Sequence, residues 1–386
     1  MIHLKNDNKK GSHLSIAESN RIARENRRIT RALEKKRTRK NIPEEEYVTE
    51  MKNPDNIVEF DNVHTYFYTD AGVAKAVNGV SFDVPKGKTV GIVGESGCGK
   101  SVTSLSLLQL LQRPSGQVVE GAIRLDTGDN VYDVTKMPLN MMCDIRGNDV
   151  SMIFQEPMTS LNPVFKIGAQ IDEVIALHRK EYAKEEVRAR SIELLEMVGM
   201  VDPEGVYNKY PHELSGGMRQ RVVIAMALAC DPKLIVADEP TTALDVTIQA
   251  QILKLLRELK EKINSSIMLI THDLGVVYDM ADYVVVMYAG KVIEKGTVEE
   301  IFNSPAHPYT IGLMKSKPVL GKKIDRLFNI PGNVPNPINM PDYCYFKDRC
   351  DKCTKECDGK YPGEVYLSPT HMVSCYNIST EQGRVL

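Results

Sequence analysis

Thr89-Val90-Gly91-Ile92-Val93 passes without a break into Gly94-Glu95-Ser96-Gly97-Cys98-Gly99-Lys100-Ser101, and few architectures can accommodate that order. The first run predicts a buried strand, and the apolar residues after the loop predict a helix over 102–111. Between them, Gly94, Gly97 and Gly99 let the backbone turn tightly. Successive N–H groups can then face one point, beside the positive end of the following helix. The spacing is G-x-x-x-x-G-K-[ST] in the strand–loop–helix context that gives it meaning. It implies a phosphate cradle in which Lys100 neutralises β and γ oxygens and the Ser101 hydroxyl can ligate Mg²⁺. A chance glycine loop is the alternative, and the flanking strand and helix argue against it.

Three further apolar runs end in residues with chemistry. Leu234-Ile235-Val236-Ala237 leads into Asp238-Glu239-Pro240, the pattern of a buried parallel strand that delivers two carboxylates to one end of a sheet. Residues 267–270 lead into Thr271-His272-Asp273, and residues 150–154 into Gln155. Alone, a histidine or glutamine after a strand is more often a surface or satisfied core residue. A fourth segment, Leu214-Ser215-Gly216-Gly217-Met218-Arg219-Gln220-Arg221, opens a mostly apolar helix over 218–229. Unpaired N–H groups and a positive dipole make such a helix start a second anion site. By itself the octapeptide also reads as a solvated Ser-Gly-Gly turn.

In this order, the segments resemble the ATP-binding-cassette (ABC) ATPases, with Walker A, signature and Walker B motifs. The resemblance implies an α/β fold: an ABC-type P-loop NTPase core, an antiparallel β subdomain and a helical subdomain carrying the signature. It implies that Gly94, Glu95, Ser96, Gly97, Cys98, Gly99, Lys100 and Ser101 bind ATP, and that Ser101, Gln155 and Asp238 serve Mg²⁺, Asp238 through water. Glu239 would act as general base, Gln155 would contact the attacking water, and His272 would contact the γ-phosphate. Leu214, Ser215, Gly216, Gly217 and Met218, with Asp245 of Thr242-Ala243-Leu244-Asp245, would complete the ATP site of a second subunit. Phe67 matches the aromatic that stacks on adenine, although an aromatic between Tyr66 and Tyr68 on a half-buried strand also reads as core.

A chain of 386 residues accommodates two domains or one with extensions, and its net charge of −2 leaves no global basic field to imply nucleic acid or acidic lipid. No apolar run reaches the 18 or so residues a membrane span needs. The opening residues 1–8 lack an apolar signal core, which favours the cytoplasm. Residues 1–52 form a charged extension, with Ile16, Ile22, Ile29 and Leu33 spaced for one thin-striped helix. Strands are expected over 57–60, 63–68 and 76–84, helices over 171–178 and 184–198, and a hairpin through Tyr288-Ala289-Gly290. The cassette is expected over 53–318, its helical subdomain over about 156–230, and a Cys-rich C-terminal region over 319–386.

Residues 156–171, and the run 305–310 with Ser316-Lys317-Pro318, resemble one subgroup: the ATPases of peptide importers and their nickel-importing relatives. That resemblance implies an ATPase subunit at the cytoplasmic face of the membrane, peripheral to it and powering oligopeptide or dipeptide import. It would work beneath two transmembrane permease subunits, with a second ATPase subunit (a copy or a paralogue) and, indirectly, an extracytoplasmic substrate-binding protein. A nickel or other non-peptide importer is the alternative, and a soluble non-transport ABC ATPase a remoter one. Residues 330–337 are proline-rich and read as a linker. Beyond it stand Cys344, Cys350, Cys357 and Cys375, with Cys353 besides. In a cytosolic chain such thiols suit a metal. The spacing lacks the tight knuckles of a zinc ribbon. It resembles the subgroup's cysteine motif, which implies a [4Fe-4S] cluster, with zinc or no metal as alternatives; Tyr343, where the family often has glycine, departs from it.

Overall fold

The computed structural model describes residues 15–39, 41–155, 160–242, 244–316, 328–378 and 384–385. Expectations resting on residues 1–8, on Glu156-Pro157-Met158-Thr159, Ala243, and Lys317-Pro318 fall outside that set.

Helix α1 (Ile16–Arg37) starts at Ser15, whose hydroxyl accepts from the Glu18 N–H while the Glu18 side chain accepts from the Ser15 N–H. The residues it buries are Asn26 and Thr30, whereas of the expected stripe Ile22 and Leu33 are half-buried and Ile16 and Ile29 exposed. Asn26 donates to the Thr69 carbonyl at 2.7 Å and Arg37 to the Thr135 carbonyl at 2.8 Å, so polar contacts dock the helix on the first sheet. Strands β1 (Val48–Thr49), β2 (Asn56–Thr69) and β3 (Gly72–Pro85) follow. The sequence predicts two strands where β2 runs as one. Asn62, at φ 48°, and register shifts between Phe60 and Thr65 absorb the polar interruption as bulges rather than as a break.

Strand β4 (Thr89–Val93) leads through the glycine loop into α2 (Lys100–Leu107). This helix stops short of residue 111, where Gln109 has already turned to φ 52°. Next come β5 (Gly116–Asp126), β6 (Val131–Asp133), α3 (Leu139–Ile145) and β7 (Val150–Ile153). Helices α4 (Ile167–His178), α5 (Lys184–Met197), α6 (Pro203–Asn208) and α7 (Gly216–Ala227) form a helical layer. It packs Ile171, Leu194, Leu195, Val222 and Ile224 into a core continuous with Ile235 and Ile267 of the central sheet. After it come β8 (Leu234–Asp238), α8 (Val246–Ile263), β9 (Ser266–Ile270), α9 (Leu274–Met280), β10 (Tyr283–Tyr288) and β11 (Lys291–Thr297). The β10–β11 turn is Ala289 at φ 46° and Gly290 at φ 81°, a geometry that suits a two-residue hairpin. The chain continues with α10 (Val298–Asn303), α11 (Pro308–Lys315), β12 (Val365–Tyr366), β13 (Met372–Val373) and β14 (Arg384–Val385).

The antiparallel sheet runs β1-β6-β5-β2-β3, and the second sheet runs β14-β12-β13-β11-β10-β4-β9-β8-β7. Within the second, β10, β4, β9, β8 and β7 are parallel neighbours. Every residue of β4, β8 and β9 is buried, as parallel strands covered on both faces require.

The proline-rich stretch beyond residue 330 is not a free spacer. Its backbone hydrogen-bonds to the β2–β3 hairpin, Lys75 N–H to the Pro337 carbonyl at 3.0 Å and Asn339 N–H to the Val73 carbonyl at 2.9 Å. The Cys-rich region then adds β13 to the edge of β11. Buried Glu294 of β11 ties that region to α11, accepting from the N–H groups of Ala306 and His307 and lying 2.8 Å from His371 Nε2.

His307 is the N-cap of α11, its Nδ1 accepting the Tyr309 N–H at 3.0 Å. Burial lowers its pKa to about 4, against the opposing attraction of Glu294. A proton on Nδ1 would also abolish the cap. The folded ring therefore stays neutral where the unfolded one protonates. Its contribution is fully present above about pH 6.5 and is lost as pH falls towards about 4, of order 3 kcal/mol across that window. Urea unfolding between pH 7 and 4.5 is expected to show a shallower loss of stability in His307→Asn than in the native chain.

Candidate functional site

Four loops leave the carboxyl ends of adjacent parallel strands, where a doubly wound sheet presents its ligand crevice. The glycine loop follows β4, Gln155 follows β7, Asp238 and Glu239 close β8, and His272 follows β9.

The glycine loop is locked from behind. A Cβ at Gly94 would stand 2.2 Å from the Met287 carbonyl oxygen, and one at Gly99 would stand 2.4 Å from that of Ala76. Both glycines also have positive φ, at 152° and 103°. The neighbouring hairpin fixes the loop further, Gly290 N–H donating to the Cys98 carbonyl at 3.0 Å. The buried Lys100 ammonium donates to the carbonyls of Gly94 at 2.8 Å and Glu95 at 3.1 Å, so it lies folded over its own loop.

Glu239 is the convergence point of the other three loops. Gln155 Nε2 donates to one carboxylate oxygen at 3.0 Å, the Thr242 hydroxyl donates to the same oxygen at 2.8 Å, and His272 Nδ1 lies 3.1 Å from the other. Its backbone is unusual for a residue with a side chain, at φ 47°. Glu239 N–H donates to the Ile270 carbonyl at 2.8 Å, and Thr242 N–H donates back to the Glu239 carbonyl at 3.1 Å. A left-handed residue pinned from both sides is the kind of local strain that functional sites hold. Burial acts to raise the carboxyl pKa, but hydrogen bonds from His272 and Thr242, with the nearby Lys100 charge, outweigh it and hold the group below its usual value. It is ionised at neutral pH.

Asp238 differs from its neighbour. Burial pushes its pKa up, opposed by a hydrogen bond from Ser101 and reinforced by the Glu239 charge. Its Oδ1 is buried and has no hydrogen-bond partner among the described residues. An orphaned carboxylate oxygen beside Ser101 and a lysine fits a hydrated Mg²⁺, which would meet the unpaired lone pairs.

The signature segment sits away from this cluster. Ser215 caps α7, accepting the Met218 N–H at 3.4 Å, and Ser215 and Gly216 are exposed. A Cβ on Gly216 would meet nothing within 4 Å, while one on Gly217 would touch Ile248 at 3.0 Å. Leu214 is buried and Met218 half-buried. From the same helix, Gln220 reaches the Pro240 carbonyl at 2.6 Å, joining the signature to the acidic strand. Asp245, exposed, caps α8 through the N–H groups of Thr247 and Ile248. Phe67 lies on β2 with its ring over Gly116 of β5, where a Cβ would stand 2.7 Å from the ring.

Sequence reasoning missed Thr242 as a partner of Glu239, along with two residues on the glycine loop. Tyr309 Oη accepts the Glu95 N–H at 2.9 Å, and Arg349 forks onto the Glu95 carboxylate at 2.6 and 2.9 Å. Thr242 stands beside the noted acidic motif, but no motif marks Arg349, which lies 254 residues from its partner.

The cysteine region gathers its thiols without closing a site. Cys344 N–H donates to the Cys357 carbonyl at 3.2 Å. Burial pushes the Cys344 thiol up to about 12, with the charges of Cys357, Cys375 and Cys350 adding to it. Thiols close enough to repel as thiolates suit a soft metal chemically. Among the described residues, however, no three His, Cys, Asp or Glu side chains stand as metal ligands.

A phosphate loop, a buried acidic strand end and an oriented carboxylate on a doubly wound sheet define a P-loop ATPase. The ABC transporter family matches residues 77–242, and the oligopeptide/dipeptide transporter C-terminal region matches residues 293–357. The chain is 52% identical over 320 residues to the oligopeptide transport ATP-binding protein AppD of Bacillus subtilis, covering 83% of this chain and 96% of that one. It is 48% identical over 322 residues to the dipeptide transport ATP-binding protein DppD of the same organism, covering 83% and 95%. Among solved structures, the ATP-binding cassette MJ0796, a dimer bound to ADP and Pi in a post-hydrolysis state, superposes with a TM-score of 0.55 at 28% identity, over 62% of this chain and 98% of that one. The chain belongs to the ATP-binding proteins of the ABC transporter family, in the group that carries the oligopeptide/dipeptide C-terminal region.

Losing Lys100 removes charge-assisted hydrogen bonds to phosphate, each worth roughly 1.5–3 kcal/mol. Lys100→Ala is expected to raise the ATP dissociation constant at least about tenfold in an equilibrium titration.

Proposed function

We propose that this chain is the ABC-type ATPase subunit that powers import of oligopeptides or dipeptides across the cytoplasmic membrane. The observation that carries the reading is the convergence of Gln155, Thr242 and His272 on the ionised Glu239 carboxylate, on the crevice that the Lys100 loop borders. The relatives named for oligopeptide and dipeptide transport support the substrate class.

In this reading Gly94–Ser101 wrap the phosphates, and Lys100 exchanges its carbonyl partners for phosphate oxygens. Ser101, Asp238 and Gln155 hold Mg²⁺, which supplies positive charge against the developing charge on the phosphates. Glu239 accepts the proton of the attacking water, Gln155 keeps that carboxylate oriented, and His272 faces the γ-phosphate. Hydrolysis needs a second subunit. The exposed N-terminal end of α7 at Ser215, with Leu214, Gly216, Gly217 and Met218, and the exposed Asp245 meet the facing subunit's nucleotide. Binding closes the pair and hydrolysis opens it. Phe67 stacks on adenine.

A groove of about 420 Å³ between the central sheet and the helical layer is lined by Leu110, Phe154, Val174, Leu177 and Met226. Phe154 and Leu177 are 43% and 61% exposed there. Such apolar surface fits the short helices of two permease subunits, with a substrate-binding protein acting through them from outside. No described helix is long and apolar enough to cross a membrane, in keeping with a peripheral seat on the cytoplasmic face. Residues 1–52 then serve as an extension, 53–318 as the cassette and 319–386 as the C-terminal region. In that last region Cys344, Cys350, Cys357 and Cys375 would be the ligands of a [4Fe-4S] cluster, or of zinc, acting as a structural staple once their side chains converge on it.

Glu239→Gln in otherwise native cells is expected to lower ATP hydrolysis by about 10²–10⁴-fold and to stop uptake of labelled short peptides while Ni²⁺ uptake continues. Loss of Ni²⁺ uptake alone would assign the chain to nickel import, and no change in either would remove it from transport. Anaerobically purified protein is expected to carry iron and acid-labile sulfide that Cys357→Ser loses. Zinc in their place supports the other metal, and a metal-free native chain contradicts both.

A further inference from the structure

Glu95 is a carboxylate inside a loop built to receive anions, and nothing in the phosphate-binding role calls for a negative charge there. The structure neutralises it. Arg349, whose side chain is 5% exposed, forks onto both Glu95 oxygens at 2.6 and 2.9 Å. The fork is held independently of Glu95. Its Nε donates to the Pro331 carbonyl at 2.9 Å, and Nη1 also stands 3.3 Å from the Tyr288 hydroxyl. Planar guanidinium geometry makes such a paired contact directional as well as attractive.

Glu95 is thereby held through three groups. Its N–H meets Tyr309, its side chain meets Arg349, and its carbonyl accepts Lys100 at 3.1 Å. Lys100 must leave that carbonyl to reach a phosphate, so the position of the Glu95 peptide governs how readily it does so. Arg349 comes from the C-terminal region, directly before Cys350. No motif of the nucleotide site includes it.

We infer that Arg349 is a positioning residue for nucleotide binding: it cancels the Glu95 charge and pins the phosphate loop, so that the C-terminal region sets the chain's affinity for ATP. Without it, the freed carboxylate repels the phosphates and the loop loses one of its anchors. Both effects weaken binding, and removing the Glu95 charge should relieve the first.

The inference rests on the nucleotide site proposed above. The test is an ATP titration of the full chain carrying Arg349→Gln, Glu95→Gln or both, with Lys100→Ala as reference. Arg349→Gln is expected to raise the dissociation constant about tenfold, and the double variant, which has no freed carboxylate, to recover part of that loss relative to Arg349→Gln. A merely structural Arg349 would shift the unfolding midpoint but show no such rescue. Two results overturn the inference: a folded Arg349→Gln that binds ATP as the native chain does, or a double variant as weak as Arg349→Gln. Where Arg349→Gln does not fold, Arg349→Lys keeps the charge without the fork; weakened binding there supports the clamp, and native affinity overturns it. Absence of ATP binding by the native chain overturns the nucleotide reading, and this inference with it.

Discussion

A buried parallel sheet leaves its chemistry only one place to go. Strands such as β4, β8 and β9, covered on both faces, expose nothing along their length, and the loops at their carboxyl ends are where side chains regain access to solvent. Because the strands lie side by side, those ends form a line. The glycine loop, the Asp238-Glu239 pair, His272 and Gln155 share an edge because their strands are hydrogen-bonded in register. Hydrophobic burial builds the sheet, and the sheet's register builds the site.

Two carboxylates next to one another in sequence then acquire different properties. Asp238 ends its strand facing inward, where desolvation raises its pKa and leaves one oxygen without a partner. Glu239, a residue later, turns through a left-handed conformation into a set of donors and stays ionised. One is suited to a hydrated cation and the other to a water molecule. The same edge receives its supports from distant parts of the chain: the β10–β11 turn behind the loop, Tyr309 on its backbone, Arg349 on its side chain. The C-terminal region is accordingly wired into the cassette by β13 on β11 and by the buried Glu294.

Much of this was legible in the sequence because the strongest signals are local. A five-residue apolar run feeding a glycine loop and a helix has few alternatives, and Leu234–Asp238 reads as a buried strand for the same reason. The helical layer and the final hairpin follow from periodicity and turn chemistry. What periodicity could not give is what depends on partners far along the chain. The polar Asp61-Asn62 pair looks like a strand break, yet pairing on both sides carries β2 through it as bulges. Asn26 and Thr30 are the buried residues of a helix whose Ile22 and Leu33, on the same face, stay half-buried, because a hydrogen bond from Asn26 to the end of β2 seats that face. Prolines from 331 to 337 look like a spacer, but the Pro337 carbonyl accepts from the β2–β3 hairpin. Arg349 carries no signature, since its meaning lies wholly in the residue it meets. The cysteines were visible as a group, while their spacing alone does not specify how the side chains converge.

The central claim is that this chain supplies half of each of two shared ATP sites. An electron cryo-microscopy structure of the assembled transporter with the Glu239→Gln chain and Mg-ATP tests it most directly. The account predicts a nucleotide held by Lys100 and Ser101 of this chain, and this chain's Ser215 against the nucleotide of the facing ATPase subunit. A nucleotide enclosed by one chain alone, with Ser215 left in solvent, would contradict it.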